Sequence, residues 1–137
     1  MSQVKPEQID ALLPFLDKFD AVGFSAGTWK TEPGQIPWFN FDEVVMEFIE
    51  VVYDNDWVTL QFDWTEWKES ARQYIESSEK VESADTETIQ KLLTTHARAD
   101  RFCEGHLASM FKNGHILGLL RRLREIRSER DLEGSDE

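Results

Sequence analysis

The chain has 137 residues, 15 Lys and Arg against 27 Asp and Glu for a formal charge of -12, and five Trp, two Tyr and nine Phe, a composition that excludes a disordered acidic chain and fits one domain with a real core. A lone Cys103 excludes an internal disulfide framework and a multi-cysteine zinc site, and no apolar run approaches the roughly 20 residues that span a bilayer. With no apolar signal segment at the start, the expectation is a cytoplasmic protein without membrane residence or lipid anchor.

From Pro6, which suits a first helical position, Ile9, Leu12, Leu13, Leu16 and Phe19 recur at helical spacing, and Pro14 is expected to kink or interrupt that helix. Residues 21–40 hold Gly23, Gly27, Pro33, Gly34 and Pro37, and Glu32-Pro33-Gly34-Gln35 has the order of a type II turn, so a loop or short irregular hairpin follows. Asn40 and Glu43 resemble a capping pair for a helix whose apolar stripe is Phe41, Val44, Val45, Phe48, Ile49 and Val52. Val58, Leu60 and Phe62 then alternate with Thr59, Gln61 and Asp63, a strand pattern whose expected partner is Thr28 to Thr31.

Asp63 with Glu66 predicts the start of a further helix that buries Trp64, Trp67, Ala71, Tyr74 and Ile75. From Ser83 or Asp85 one long helix reads on to about Lys112, where Asn113-Gly114 stops it. Ile116, Leu119, Leu120, Leu123 and Ile126 carry a last amphipathic helix. The predicted fold class is mainly α, a compact bundle of about five helices with a short strand or hairpin around residues 28–38 and 57–63. It forms one helical domain over residues 1–130, followed by an acidic disordered tail over 131–137.

On the long helix, Ile89, Leu92, Leu93, Ala99, Cys103, Leu107, Met110 and Phe111 fall on one arc, and His96 and Asp100 lie inside it. A buried imidazole and carboxylate need partners, because an unpaired buried polar group costs about 1–3 kcal/mol. The plainer answer is a structural pair that fixes helix register. The sharper one adds Glu104, one turn on, as a row suited to a divalent metal or to acid-base work. Arg98 and Arg101 project from the opposite side, where Arg101 can pair with Glu104 and Arg98 can reach Phe102 or leave its fork free for a carboxylate or phosphate. His96, Arg98, Asp100, Arg101 and Glu104 form the candidate polar cluster, with no metal or cofactor assigned.

The run Leu92-Leu93-Thr94, then Arg98-Ala99-Asp100-Arg101-Phe102, then Glu104-Gly105-His106-Leu107 resembles the signature of a prokaryotic family catalogued as domain of unknown function 6508. The resemblance extends upstream to Phe62-Asp63-Trp64 with Trp67 and downstream to Gly114 and Leu120-Arg121-Arg122-Leu123. It implies a small stand-alone prokaryotic protein and singles out Asp63, Trp64, Arg98, Asp100, Arg101 and Glu104 without giving them roles.

Charge is uneven: residues 42–87 hold 14 acidic against 3 basic residues, whereas 112–130 hold 6 basic against 2 acidic. The net charge disfavours nonspecific nucleic-acid binding, although Arg121, Arg122, Arg124, Arg127 and Arg130 could form a local patch for nucleic acid or acidic lipid. The plainer reading turns them toward the acidic middle of the same molecule or into solvent. Most aromatics read as core, but Trp29, Trp38 and Phe39 sit in the Gly/Pro segment and form a candidate aromatic surface for a ligand or partner. Gly23-Phe24-Ser25-Ala26-Gly27 matches a nucleophile elbow without the strand and helix that motif needs, and the S-x-x-K in Ser77-Ser78-Glu79-Lys80 lacks its companion motifs.

The reading that asks least of these residues is a noncatalytic module that binds a protein partner, a second copy of itself or a ligand. Its rivals are a small enzyme or metal-binding protein built on the His/Asp/Glu row, and a nucleic-acid-associated protein using the terminal arginines.

Overall fold

The computed structural model describes residues 4–59, 61–101 and 103–135, with side chains in the last helix described as far as Glu129. It is mainly helical with one small hairpin. In chain order the elements are α1 (Pro6–Leu12), α2 (Pro14–Phe19), β1 (Gly27–Lys30), β2 (Trp38–Phe41), α3 (Glu43–Asp54), α4 (Lys68–Glu76), α5 (Ser78–Val81), α6 (Thr86–Ala99), α7 (His106–Lys112) and α8 (His115–Ser135). Pro14 separates α1 from α2, as a residue with no amide hydrogen inside a helical pattern requires. Helix α8 continues through Ser135 into the stretch expected as a tail. No helix of the described residues is long and apolar enough to cross a membrane.

The core is organised on α8, which packs against α1, α2, α5, α6 and α7. Its Ile116, Leu119, Leu120 and Leu123 are almost wholly buried, together with Ile9 and Leu12 from α1, Val45 and Phe48 from α3, and Ile89 and Leu92 from α6. The arginines on the outer side of α8 meet acids of the first two helices: Arg121 reaches Asp20 at 3.0 Å and Arg127 reaches Asp10 at 2.9 Å. Arg122 donates to the Ala84 carbonyl at 2.8 Å and faces Glu125. The acids they meet therefore lie near the start of the chain and beside them on α8, and the Arg122 contact into residues 42–87 is to a backbone carbonyl, not to a carboxylate; the side chain of Arg130 lies outside the described residues.

Two expectations about the hairpin region need correction. Helix α3 is capped by Asp42, whose carboxylate accepts from the Val44 amide, while Asn40 sits in β2 opposite Thr28. The partner of β1 is β2, antiparallel with Trp29 opposite Phe39 and Lys30 opposite Trp38, and not residues 57–63. The Pro33-Gly34 turn joins the two strands, Gly34 taking a φ of 81° and the Gln35 amide donating to the Glu32 carbonyl.

Residues 57–59 form no strand because side chains from helices occupy their backbone groups. Thr94 of α6 donates its hydroxyl to the Trp57 carbonyl and accepts from the Thr59 amide, both at 3.1 Å. The Trp57 amide donates to the Val52 carbonyl at 3.0 Å, so three of the segment's backbone groups are already engaged, while Gln90 to the Asp56 carbonyl and the Trp57 indole to the Gln8 carbonyl anchor it in place. Leu60, the central apolar residue of the expected strand, lies outside the described residues. Thr94→Val keeps the shape but removes the bridging hydroxyl, and is expected to cost about 1–3 kcal/mol, read as a lower urea midpoint at unchanged slope.

Candidate functional site

The helix read as continuous to Lys112 is in fact two. Its first part, α6, begins at Asp85, whose carboxylate accepts from the Thr88 amide and is held below the usual carboxylate range chiefly by the Thr88 side chain, with that amide second. The helix ends at Ala99, and Asp100 turns its carboxylate forward to accept from the Leu107 amide at 3.0 Å, at the start of α7. Gly105 closes the break in the left-handed region, with a φ of 90°. A side chain there would be strained by the backbone alone, and its Cβ would lie 2.5 Å from the Trp29 ring. The missing side chain lets the indole of β1 lie against the turn that starts α7.

This approach forms one wall of a cavity of about 720 Å³ between the hairpin, the α2–β1 loop and helices α7 and α8. Two aromatic groups line it. Phe19, Phe24 and Phe111 pack on one another with ring centres 4.9 to 6.1 Å apart, and Trp29 meets Phe39 edge to face at 5.5 Å. Period-2 alternation sends Trp29 and Phe39 to the same face of the hairpin and Trp38 to the other, so the cavity includes the first two and not the third. Among the described lining residues, Lys112 is the one charged side chain.

Behind the same turn, the three histidines of the chain converge from three helices. His96 Nδ1 and His106 Nε2 are 3.1 Å apart, and the His115 ring stands edge-on to His96 with centres 4.9 Å apart. His96 has no exposed surface, and the Nε2 atoms of His96 and His115 are buried without a hydrogen-bond partner among the described residues. Burial, reinforced by the neighbouring imidazoles, holds His96 well below the usual histidine range and His115 at about 4. Burial also lowers His106, which Asp100 pulls back up and Lys68 pushes further down. Among the described residues no group of three or more His, Cys, Asp or Glu is arranged to hold a metal ion.

The model of DUF6508, a family of unknown function, matches residues 4–129. The chain belongs to that family. No curated protein and no solved structure matches it.

In this DUF6508 chain the polar residues singled out from sequence do not form one row. His96 is sealed in the core, Asp100 is half-buried and engaged as a cap, and Glu104 is exposed in the turn beyond the break. The helix break removes the one-turn spacing that would have aligned them. Burial, with Glu104 nearby, raises the Asp100 carboxyl above its usual range. Arg98 is half-buried in the last turn of α6, and Arg101 lies over the Tyr53 ring rather than against Glu104. The proposed Arg98–Phe102 contact falls on a residue outside the described ones, and Cys103, expected on the buried arc, is exposed. Asp63 caps the turn before α4 by accepting from the Thr65 and Glu66 amides and the Thr65 hydroxyl, and Trp64 is buried. Sequence reasoning missed the roles of Gly105, Phe19, Phe24, Phe111 and Lys112. The available signal was Gly105 itself, a poor helix residue in the middle of a supposed helix.

Proposed function

We propose that the chain is a noncatalytic ligand-binding module and that the cavity between the hairpin and α7 is its site. The observation that carries this is the cavity itself: at about 720 Å³, with two groups of aromatic side chains and few polar ones, it has the size and lining of a small-molecule pocket. The alternative of acid-base catalysis on α6 is less well supported, because Asp100 is committed to the Leu107 amide and His96 is closed off from solvent. An exposed, unpaired Cys103 fits a reducing compartment such as the cytoplasm.

The test is a titration with N-phenyl-1-naphthylamine, a neutral aromatic probe whose fluorescence rises on leaving water. Saturable binding to the wild type is expected, and Ala108→Trp, which fills the cavity from α7, should abolish it while leaving the far-ultraviolet circular dichroism unchanged. Absence of binding to the wild type, or binding that survives Ala108→Trp, would overturn the reading.

A further inference from the structure

The charges around the cavity suggest what kind of ligand it takes. The chain carries 27 acidic against 15 basic residues, yet no carboxylate appears among the described lining residues and Lys112 does. The ammonium of Lys112 has no carboxylate partner among the described residues, unlike Arg121, Arg122 and Arg127 on the following helix. The two lining hydroxyls are committed to the backbone, Ser25 donating to the Gly27 carbonyl and Ser109 to the Gly105 carbonyl, each at 3.1 Å. Each serine has a single O–H, so the described lining side chains left to donate to a negative group are Lys112, the one cation, and the Trp29 indole N–H.

The aromatic walls set the rest of the ligand's shape. Ring edges carry partial positive charge and ring faces partial negative charge, so a planar aromatic body finds edge-to-face partners in either group of rings. Resting on the reading of the cavity as a binding site, we infer that its ligand is an aromatic anion: a flat ring system held among Phe19, Phe24, Phe111, Trp29 and Phe39, with a carboxylate, sulfonate or phosphate directed to Lys112. On a chain of charge -12 such a ligand is repelled at long range, and the lack of carboxylates among the described lining residues is what lets one cation decide the outcome locally.

Lys112 also stands in the last turn of α7, where a cation favours the helix dipole whatever the cavity holds. The experiment separates these roles with two probes that share a skeleton, 8-anilinonaphthalene-1-sulfonate and the neutral N-phenyl-1-naphthylamine. Lys112→Gln should weaken binding of the sulfonate roughly three- to ten-fold and leave the neutral probe unchanged. Added salt should narrow the difference in sulfonate affinity between the wild type and the variant, because it screens the Lys112 attraction that the variant lacks while acting alike on the repulsion common to both. If Ala108→Trp abolishes both probes but Lys112→Gln affects neither, or both equally, the anion assignment is wrong while the cavity reading stands. If neither probe responds to Ala108→Trp, the cavity reading itself has failed.

Discussion

Gly105→Ala is expected to destabilise the protein by about 1–3 kcal/mol, a fall in melting temperature of roughly 5–10 °C for a chain of this size. Two costs add. A left-handed backbone at a φ of 90° costs an L side chain about 1–2 kcal/mol, less a fraction regained because alanine restricts the unfolded chain. The new Cβ, 2.5 Å from Trp29 Cζ2, must also displace the indole and with it the edge-to-face contact to Phe39. That contact is worth about 0.5–1.5 kcal/mol. The displaced ring lines the cavity, so binding of N-phenyl-1-naphthylamine should weaken in the same variant.

A double-mutant cycle separates the two costs. In a Trp29→Ala background the collision is gone, so Gly105→Ala should cost only the backbone part, about 1–2 kcal/mol. Equal costs in both backgrounds would show that the indole does not press on Gly105. A cost below about 0.5 kcal/mol in the wild-type background would show that the turn relaxes freely.

The same turn shows why part of this fold was legible in the sequence and part was not. Periodicity identified the buried faces of α3, α6 and α8, because Val45, Phe48, Leu92, Leu93, Leu119 and Leu123 obey a local repeat set by helix geometry. It also ran on through Asp100–Gly105, since Leu107 and Met110 of α7 return to the same core that receives Leu92 and Leu93. A shared core hides a break between two helices that both feed it. The hairpin turn was readable because Pro33-Gly34 sets its own dihedral angles. Its partner strand was not, because what excludes residues 57–59 from pairing is the Thr94 hydroxyl, 35 residues away from Thr59. Likewise the acids that engage Arg121 and Arg127 lie 101 and 117 residues upstream, and the cavity draws its rings from α2, the following loop, both strands and α7. None of these pairings leaves a local repeat. Nor does the meeting of His96, His106 and His115, whose spacings follow no helical period.

That meeting makes stability fall with acid in a defined window. In the unfolded chain a histidine takes up a proton near pH 6.5, whereas burial holds His115 at about 4 in the folded protein. Between these values the unfolded state binds more protons, so the stability His115 contributes is complete above pH 6.5 and is lost as the pH falls toward 4. At about 1.4 kcal/mol per pH unit, His115 alone accounts for a loss on the order of 3 kcal/mol. His96 and His106 are shifted in the same direction and add to it. Asp100 opposes them: its carboxyl is raised in the folded state, so protonation favours folding there, and approach to the isoelectric point near 4.6 also relieves repulsion among the acids. The net slope of the wild type therefore mixes opposite contributions, and the informative quantity is its difference from His115→Phe, which keeps an aromatic edge against His96 but cannot titrate. Urea unfolding at pH 7 and pH 4 should show the wild type losing about 3 kcal/mol more than the variant across that interval. Parallel stability curves for the two proteins would mean that His115 is protonated in the folded state as readily as in the unfolded chain, and that the three-helix junction admits charge without opening.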